Sequence, residues 1–279
     1  MSNDISYDDV VVATIDVLKR AETTLSEDVI EALRKARDSE SSPVAKEQLE
    51  AILKNIDIAK RNEIPICQDT GILIFFVEMG RELNINFNLE SAISEGVRKA
   101  TRSIPLRPNA VDPLTRSNSG DNTGDGIPDI KYSFSDGKKL KITVAPKGAG
   151  SENMSTIKML NPTETSQIRN FILETVLKAG GKPCPPIVVG VGIGGSFDKA
   201  ARLAKASLLE EMTEMDEFES SILNDINSLG IGPMGLGGNT TALAVHVKKA
   251  HCHTASLPVA VNIQCWANRH ASATLGGDE

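Results

Sequence analysis

The chain has 279 residues, 40% hydrophobic and 24% charged, a balance that fits a folded protein and excludes wholesale disorder. Its 30 basic against 37 acidic side chains leave a formal charge of −7, and aromatics are only 4%, which suits neither phosphate backbones, base stacking nor anionic lipid. No apolar run approaches the roughly 18 residues of a membrane span, and the acidic N-terminus does not fit a signal or transit peptide, so a cytoplasmic protein without nucleic-acid or membrane partners is expected.

Residues 1–62 read as helices. Asp9–Arg20 is apolar on one face through Val12, Ile15 and Leu18. Thr24-x-x-Glu27 has the capping-box pattern ahead of Val29, Ile30 and Leu33. Ser42-Pro43 is a strong helix start, and Leu49, Ile52, Leu53 and Ile56 follow as one stripe. Ile64–Gly71 is a loop leading into a buried strand, Ile72–Val77, and Leu89–Ala100 is helical. Residues 103–126 read as loop. Ile127–Phe134 and Lys139–Ala145 flank Asp136-Gly137, which predicts a hairpin. After the glycine loop Pro146–Ser151, a helix over Ile168–Val176 closes at Gly180-Gly181. Pro185–Gly190 is a buried strand, Phe197–Met212 and Asp216–Leu229 are helices, and two late strands alternate over Leu243–Val247 and Leu257–Ile263. The class is mixed α/β, with N-terminal helices packed on a mixed-sheet body. No linker-like composition interrupts it, so residues 1–279 read as one domain, with a helical part at 1–62 and an α/β body at 63–279.

Three motifs have a bland explanation beside a functional one. Gly190-x-Gly192-x-x-Gly195 follows a strand and opens a helix, but the acidic residues about 20 positions on, Glu210 and Glu211, continue a helical pattern instead of ending a strand. Asp121–Gly126 resembles the start of a calcium loop, yet its twelfth position is Tyr132, and a turn explains it better. His251, His253 and Cys265 could bind zinc in a non-catalytic or structural subunit, although their spacing matches no familiar zinc module.

Several loops look built for a polar site. Cys67-Gln68-Asp69-Thr70-Gly71 places a thiol, an amide, a carboxylate and a hydroxyl at the mouth of a buried strand. Arg107 sits beside Pro108-Asn109, and the glycines around Gly150 permit close backbone approach to a ligand. Cys184 lies between prolines, and His253 and Cys265 flank the last alternating run. Cysteines in a cytoplasmic chain are reduced thiols, not a disulfide framework.

These segments carry a resemblance. Ile66–Gly71, Arg107–Asn109, Ala145–Ser155, Cys184–Pro186, Gly192–Lys199, Gly232–Thr240 and His253–Cys265 look, in order, like the α subunit of the class I, iron–sulfur fumarate hydratases and L-tartrate dehydratases. The resemblance implies that Cys67, Cys184 and Cys265 hold a [4Fe-4S] cluster with one iron left open as a Lewis acid, by the logic of an open catalytic zinc site. It further implies that Asp69 moves the proton and that Gln68, Arg107, Gly150 and His253 contact a dicarboxylate, for which the planar arginine fork is suited. Ala149 is a departure, standing where the family often has glycine. The expected reaction is reversible dehydration of (S)-malate to fumarate, with L-tartrate as the alternative substrate, and the expected partner is a β subunit supplying further substrate contacts. Cys265 is preferred to Cys252 as the third ligand. If the run after Leu243–Val247 stays extended, His253 and Cys252 face opposite ways.

Overall fold

The first helix opens two residues before the apolar stripe suggests. Ser6 and Asp9 each accept from the other's backbone N–H, a capping box that fixes its start. A computed structural model of the chain describes residues 5–277. In chain order its elements are α1 (Tyr7–Thr23), α2 (Glu27–Ser39), α3 (Pro43–Asn62), β1 (Ile72–Gly80), α4 (Leu89–Ser103), β2 (Asp129–Ser135), β3 (Leu140–Lys147) and the single turn α5 (Ala149–Glu152). They continue with β4 (Thr156–Leu160), α6 (Gln167–Ala179), β5 (Ile187–Ile193), α7 (Phe197–Ser207), α8 (Glu217–Ser228), β6 (Ala242–Lys249), β7 (Leu257–Gln264) and β8 (Ala271–Leu275). The fold is mixed α/β. Among the described residues no helix is long and apolar enough to cross a membrane.

The capping pattern at Thr24-x-x-Glu27 is used differently from its sequence reading. α1 runs to Thr23, so Thr24 is consumed as its C-cap, donating its N–H to the Arg20 carbonyl at 3.2 Å, and α2 opens at Glu27. Ser42 does cap α3, its Oγ accepting from the Ala45 N–H at 3.4 Å.

The described chain divides into two compact units. The first comprises residues 5–26, 56–147 and 269–277, and the second residues 27–55 and 148–268. The first 62 residues therefore contribute to both, with α1 in the first unit, α2 in the second and α3 giving residues to each.

In the first unit a four-stranded sheet runs in the order β2-β1-β3-β8. α1 and α4 lay Val10, Leu18, Ile93 and Val97 against Phe75 and Ile142 to form its core. The helices approach so closely that a Cβ on Gly96 would lie 2.5 Å from the Thr14 Cβ.

The Asp136-Gly137 hairpin does not form. β2 is parallel to β1, β3 is antiparallel to β1, and β1 lies between them. The turn still reverses the chain with Gly137 at φ 88°, but it crosses the end of β1, where Gly80 donates to Lys139 O at 2.8 Å and Arg81 to Ser135 O at 2.9 Å. A turn signal specifies a reversal. Which strands pair is decided by burial, and β1, with Leu73, Ile74, Phe75 and Val77 all buried, takes the interior place.

In the second unit the order is β4-β7-β5-β6, with β7 antiparallel to β4 and β5, and β5 parallel to β6. Every residue of β7 is buried, because both faces are covered. On one side Val189, Val191, Val259 and Val261 meet Ile172 and Val176 of α6 and Ile222 and Ile226 of α8. On the other, Ala260 packs with Ala200 and Ala204 of α7. The glycine fingerprint serves this second face. A Cβ on Gly190 would lie 2.1 Å from the Ala204 carbonyl oxygen, and one on Gly192 2.0 Å from that of Ala200. These glycines let a helix backbone rest on a strand, which leaves no need for a nucleotide to explain them.

Gly192→Ala should therefore push α7 off the sheet and destabilise the protein by about 1–3 kcal/mol, the usual cost of overpacking. Gly124→Ala, where nothing lies within 4 Å of the added carbon, is the control and should be close to neutral. Urea midpoints of the two variants decide it, and equal midpoints would remove the packing explanation.

Candidate active-site loops

In the first unit, the segment between α3 and β1 is anchored by two buried side chains, Ile66 and Thr70, while Cys67 and Gln68 between them are exposed and Asp69 is half-buried. Its backbone is pinned at each end. The Ile66 N–H donates to Glu22 O at 2.8 Å, and Arg269 Nη2 donates to Asp69 O at 2.9 Å. Arg269 Nη1 in turn meets Glu22 Oε2 at 2.7 Å, and these two side chains are 1% and 0% exposed. Asp69 Oδ1 accepts from the Gly71 N–H at 2.9 Å, so this carboxylate also shapes the turn into β1. Gly71 has φ 77°, and a Cβ there would strike the Lys147 backbone nitrogen at 2.6 Å.

The Arg107 loop is attached to the same segment through its main chain, leaving the arginine side chain exposed. Thr70 Oγ1 donates to Arg107 O at 3.0 Å, and Asn109 Nδ2 donates to Thr70 Oγ1 and to Gly71 O, both at 3.1 Å. Asn122, buried with φ 62°, completes the bracket. Its amide donates to Arg107 O at 3.2 Å and its Oδ1 accepts from the Asn109 N–H at 2.7 Å. The calcium-like stretch is thus a turn whose asparagine fixes a neighbouring loop. Sequence reasoning missed this role, although an asparagine before Thr-Gly in a left-handed turn is a chemical hint.

In the second unit, Cys184 and Cys265 are carried on segments bonded to each other. The Trp266 N–H donates to Cys184 O at 3.3 Å. Cys184 is held at φ 54°, an uncommon conformation for a residue with a Cβ, with its own N–H on Gly181 O at 3.1 Å. The Cys265 Sγ approaches Ala267 O at 3.7 Å. Beside it the buried Gln264 links to the glycine loop, because Ser151 Oγ lies 3.3 Å from Gln264 Oε1, while Gln264 Nε2 donates to Ala267 O at 3.2 Å. Gly150 is exposed on α5 of that loop.

β6 ends at Lys249, so His251, Cys252 and His253 lie on an exposed loop and the extended-strand argument for turning Cys252 away does not apply there. The strand stops because the next segment is used elsewhere: Gly194 lies against the Ala250 carbonyl and Gly195 donates to His251 O at 3.3 Å. His253 Nδ1 accepts from the Ala255 N–H at 3.0 Å, which puts the proton of the neutral ring on Nε2 and makes that nitrogen a donor.

Cys67, Gln68, Asp69 and Arg107 thus belong to the first unit, and Gly150, Cys184, His253 and Cys265 to the second. Among the described residues no three His, Cys, Asp or Glu side chains are gathered as a metal site. The donor chemistry of Cys67, Cys184 and Cys265 nevertheless fits an iron–sulfur group. All three are thiols outside disulfides, on loops, and at least partly exposed.

Two mixed sheets, each with connecting loops that carry thiols and other polar side chains, define a mixed α/β protein. The family model described as Fumarate hydratase (Fumerase) matches residues 12–274. A Methanocaldococcus jannaschii protein with the provisional name L(+)-tartrate dehydratase subunit alpha is 49% identical over 268 residues, covering 92% of this chain and 94% of the relative. The L(+)-tartrate dehydratase subunit alpha of Escherichia coli strain K12 is 33% identical over 264 residues, covering 92% of this chain and 87% of that protein. The chain belongs to the fumarate hydratase family.

Burial pushes the Glu22 carboxyl up to about 7, against the pull of Arg269 and with a smaller push from Asp69. Between the ordinary value of 4.5 and about 7, the folded state keeps a proton that the unfolded chain has already released, and above about 7 the carboxylate is charged and paired with Arg269. Stability from this group is complete below 4.5 and declines as pH rises through about 7. Glu22→Gln should flatten that part of the profile, measured as urea midpoints across the same window. An equally steep decline in the variant would assign the slope to other groups.

Proposed function

We propose that the chain is the α subunit of an iron–sulfur hydro-lyase that reversibly removes water from (S)-malate to give fumarate, working in the cytoplasm with a β subunit. The observation that carries this reading is the Ile66–Gly71 segment, which presents a thiol, an amide and a carboxylate in succession on a backbone pinned at both ends, in a chain of this family. That both relatives are named as alpha subunits supports the partner.

Cys67, Cys184 and Cys265 would hold a [4Fe-4S] cluster. When bound, such a group with one iron lacking a protein ligand supplies a Lewis acid for the departing hydroxyl. Asp69 takes the proton from the carbon next to the one that loses hydroxide, so that malate yields fumarate and one water. The turn made by Asp69 Oδ1 with the Gly71 N–H fixes the carboxylate plane for that transfer. Arg107 binds one substrate carboxylate through its two-pronged fork. The Nε2–H of His253 and the Gln68 amide donate to substrate oxygens, and the exposed backbone at Gly150 lets the ligand approach closely.

A second reading, dehydration of L-tartrate to the enol of oxaloacetate, is favoured by the names of both relatives. The two substrates differ by one hydroxyl. Anaerobic assay of the reconstituted α–β enzyme on malate and on L-tartrate separates them, and turnover of neither would overturn the hydro-lyase reading.

Asp69→Asn should lower turnover by about 10²–10⁴-fold with the brown colour of the cluster retained, the usual contribution of an acid–base group. Near-normal turnover would leave Asp69 with its turn-forming role alone. Cys265→Ser should abolish stable cluster assembly, whereas Cys252→Ser should keep the cluster and cost about 1 kcal/mol at most. Iron and sulfide counts on the two purified variants report this directly, and the opposite pattern would overturn the ligand assignment.

A further inference from the structure

We propose that Arg269 and Glu22 are positioning residues that hold Asp69 in place for proton transfer, through a clamp on the backbone of its loop. The proposal rests on the reading of Asp69 given above.

Its basis is the geometry of the contacts. The loop from Ile66 to Asp69 has two ends, and each member of one buried ion pair grips one of them. Glu22 does so through its carbonyl, which accepts from Ile66 N at 2.8 Å, and Arg269 through Nη2, which reaches Asp69 O at 2.9 Å. The pair closes on itself at 2.7 Å, out of contact with solvent. Both residues stand at ends of regular structure: Glu22 is in the last turn of α1, and Arg269 lies two residues before β8. α1 is packed on the sheet of its own unit, and β8 is hydrogen-bonded to β3 from Ala271 to Leu275. The loop is therefore referenced to two rigid elements, which is how a reactive side chain on a loop is kept in register.

Stability alone is a poor reason to bury such a pair. Removing two charges from water costs about as much as their attraction returns, and apolar replacements of similar volume often do better. Arginine is also specific to this arrangement. Its rigid fork serves a carboxylate with one arm and the Asp69 carbonyl with the other, whereas a lysine presents one compact charge and cannot hold both at this spacing. Glutamine at position 22 keeps an acceptor for Arg269 and leaves the Glu22 carbonyl in place but removes the counter-charge, so it should weaken the clamp without abolishing it.

The test uses the assembled, cluster-loaded enzyme carrying Arg269→Lys or Glu22→Gln. Hydrogen exchange read by mass spectrometry on peptides spanning residues 64–72 is compared with exchange in β1 and β7, alongside kcat and KM. Arg269→Lys should speed exchange at residues 66–71 by about tenfold or more, leave β1 and β7 protected, and lower kcat about 10–100-fold with little change in KM, as expected for a misplaced reacting group. Glu22→Gln keeps an acceptor for one arm of Arg269 but removes its counter-charge, so it should move both readouts in the same direction as Arg269→Lys and by less. Unchanged local exchange, or wild-type kcat in Arg269→Lys, would overturn the proposal. Loss of protection throughout the first unit would also overturn it, by making the pair a device for global stability. Asp69→Asn, run in parallel, separates the two ideas. Normal turnover there overturns the reading of Asp69 itself, whereas a strong loss there with normal kcat in Arg269→Lys overturns only the positioning role.

Discussion

The Glu22–Arg269 pair imposes the tightest condition on the first unit, because two groups that water would solvate strongly are enclosed together with almost no exposed surface. Such a pair tolerates little displacement. If either partner moves away, the other is left as an uncompensated charge in a medium of low polarity, which is far costlier than losing a surface ion pair. Everything attached to the pair inherits that stiffness. The Ile66–Asp69 backbone is attached directly, and through Thr70 so are the Arg107 and Asn109 loops. The first unit thus has one polar scaffold that begins in a helix and a strand lead-in and ends at the side chains expected to meet substrate.

The second unit solves the same problem by other means. Its loops are held by main-chain and neutral side-chain hydrogen bonds: Trp266 to Cys184, Gly195 to His251, and Ser151 through Gln264 to Ala267. Beneath them the glycines of β5 bring α7 down onto the sheet, which aligns the strand ends from which these loops depart. Close packing there and charge burial in the first unit serve one purpose, to give irregular segments a fixed geometry that their own sequences could not maintain.

Periodicity carried much of the architecture. The stripes of α3, α4 and α6, the caps at Ser42 and Gly180, and the apolar runs of β1, β5, β6 and β7 were legible because each reflects burial within a single element. In α1 the sequence stripe misplaces the buried face, since Val12 is exposed and Val10, Val11 and Val17 are buried with Leu18. β4 and β8 were not. β4 is an edge strand with Lys158 and Met159 exposed, and β8 is built from small residues, so both exist because β7 and β3 offer partners. The Asp136-Gly137 turn was legible as a reversal, but the insertion of β1 between its arms depends on long-range burial that a dipeptide does not encode. At the site, the residue types of the Cys67–Gly71, Arg107 and Cys184 loops stood out because polar and glycine-rich chemistry is unusual beside buried strands. The brackets behind them, Asn122 and Arg269, gave no local signal. A lone arginine near the end of a chain looks like any surface charge until its partner at position 22 is seen.

That separation has a consequence for how the protein is made. Glu22 and Arg269 are 247 positions apart, and β8, which covers the edge of β3, follows directly behind the arginine. At about 5–20 residues per second, a ribosome needs roughly 12–50 s to travel from one to the other. For all of that time the α1 carboxylate has no counter-charge and the β3 edge has no neighbour, so the nascent first unit must keep both hydrated. The second unit, whose residues are all translated before Arg269, can close earlier. The order of synthesis therefore favours completing the second unit's thiol-bearing segments first and locking the Asp69 loop last.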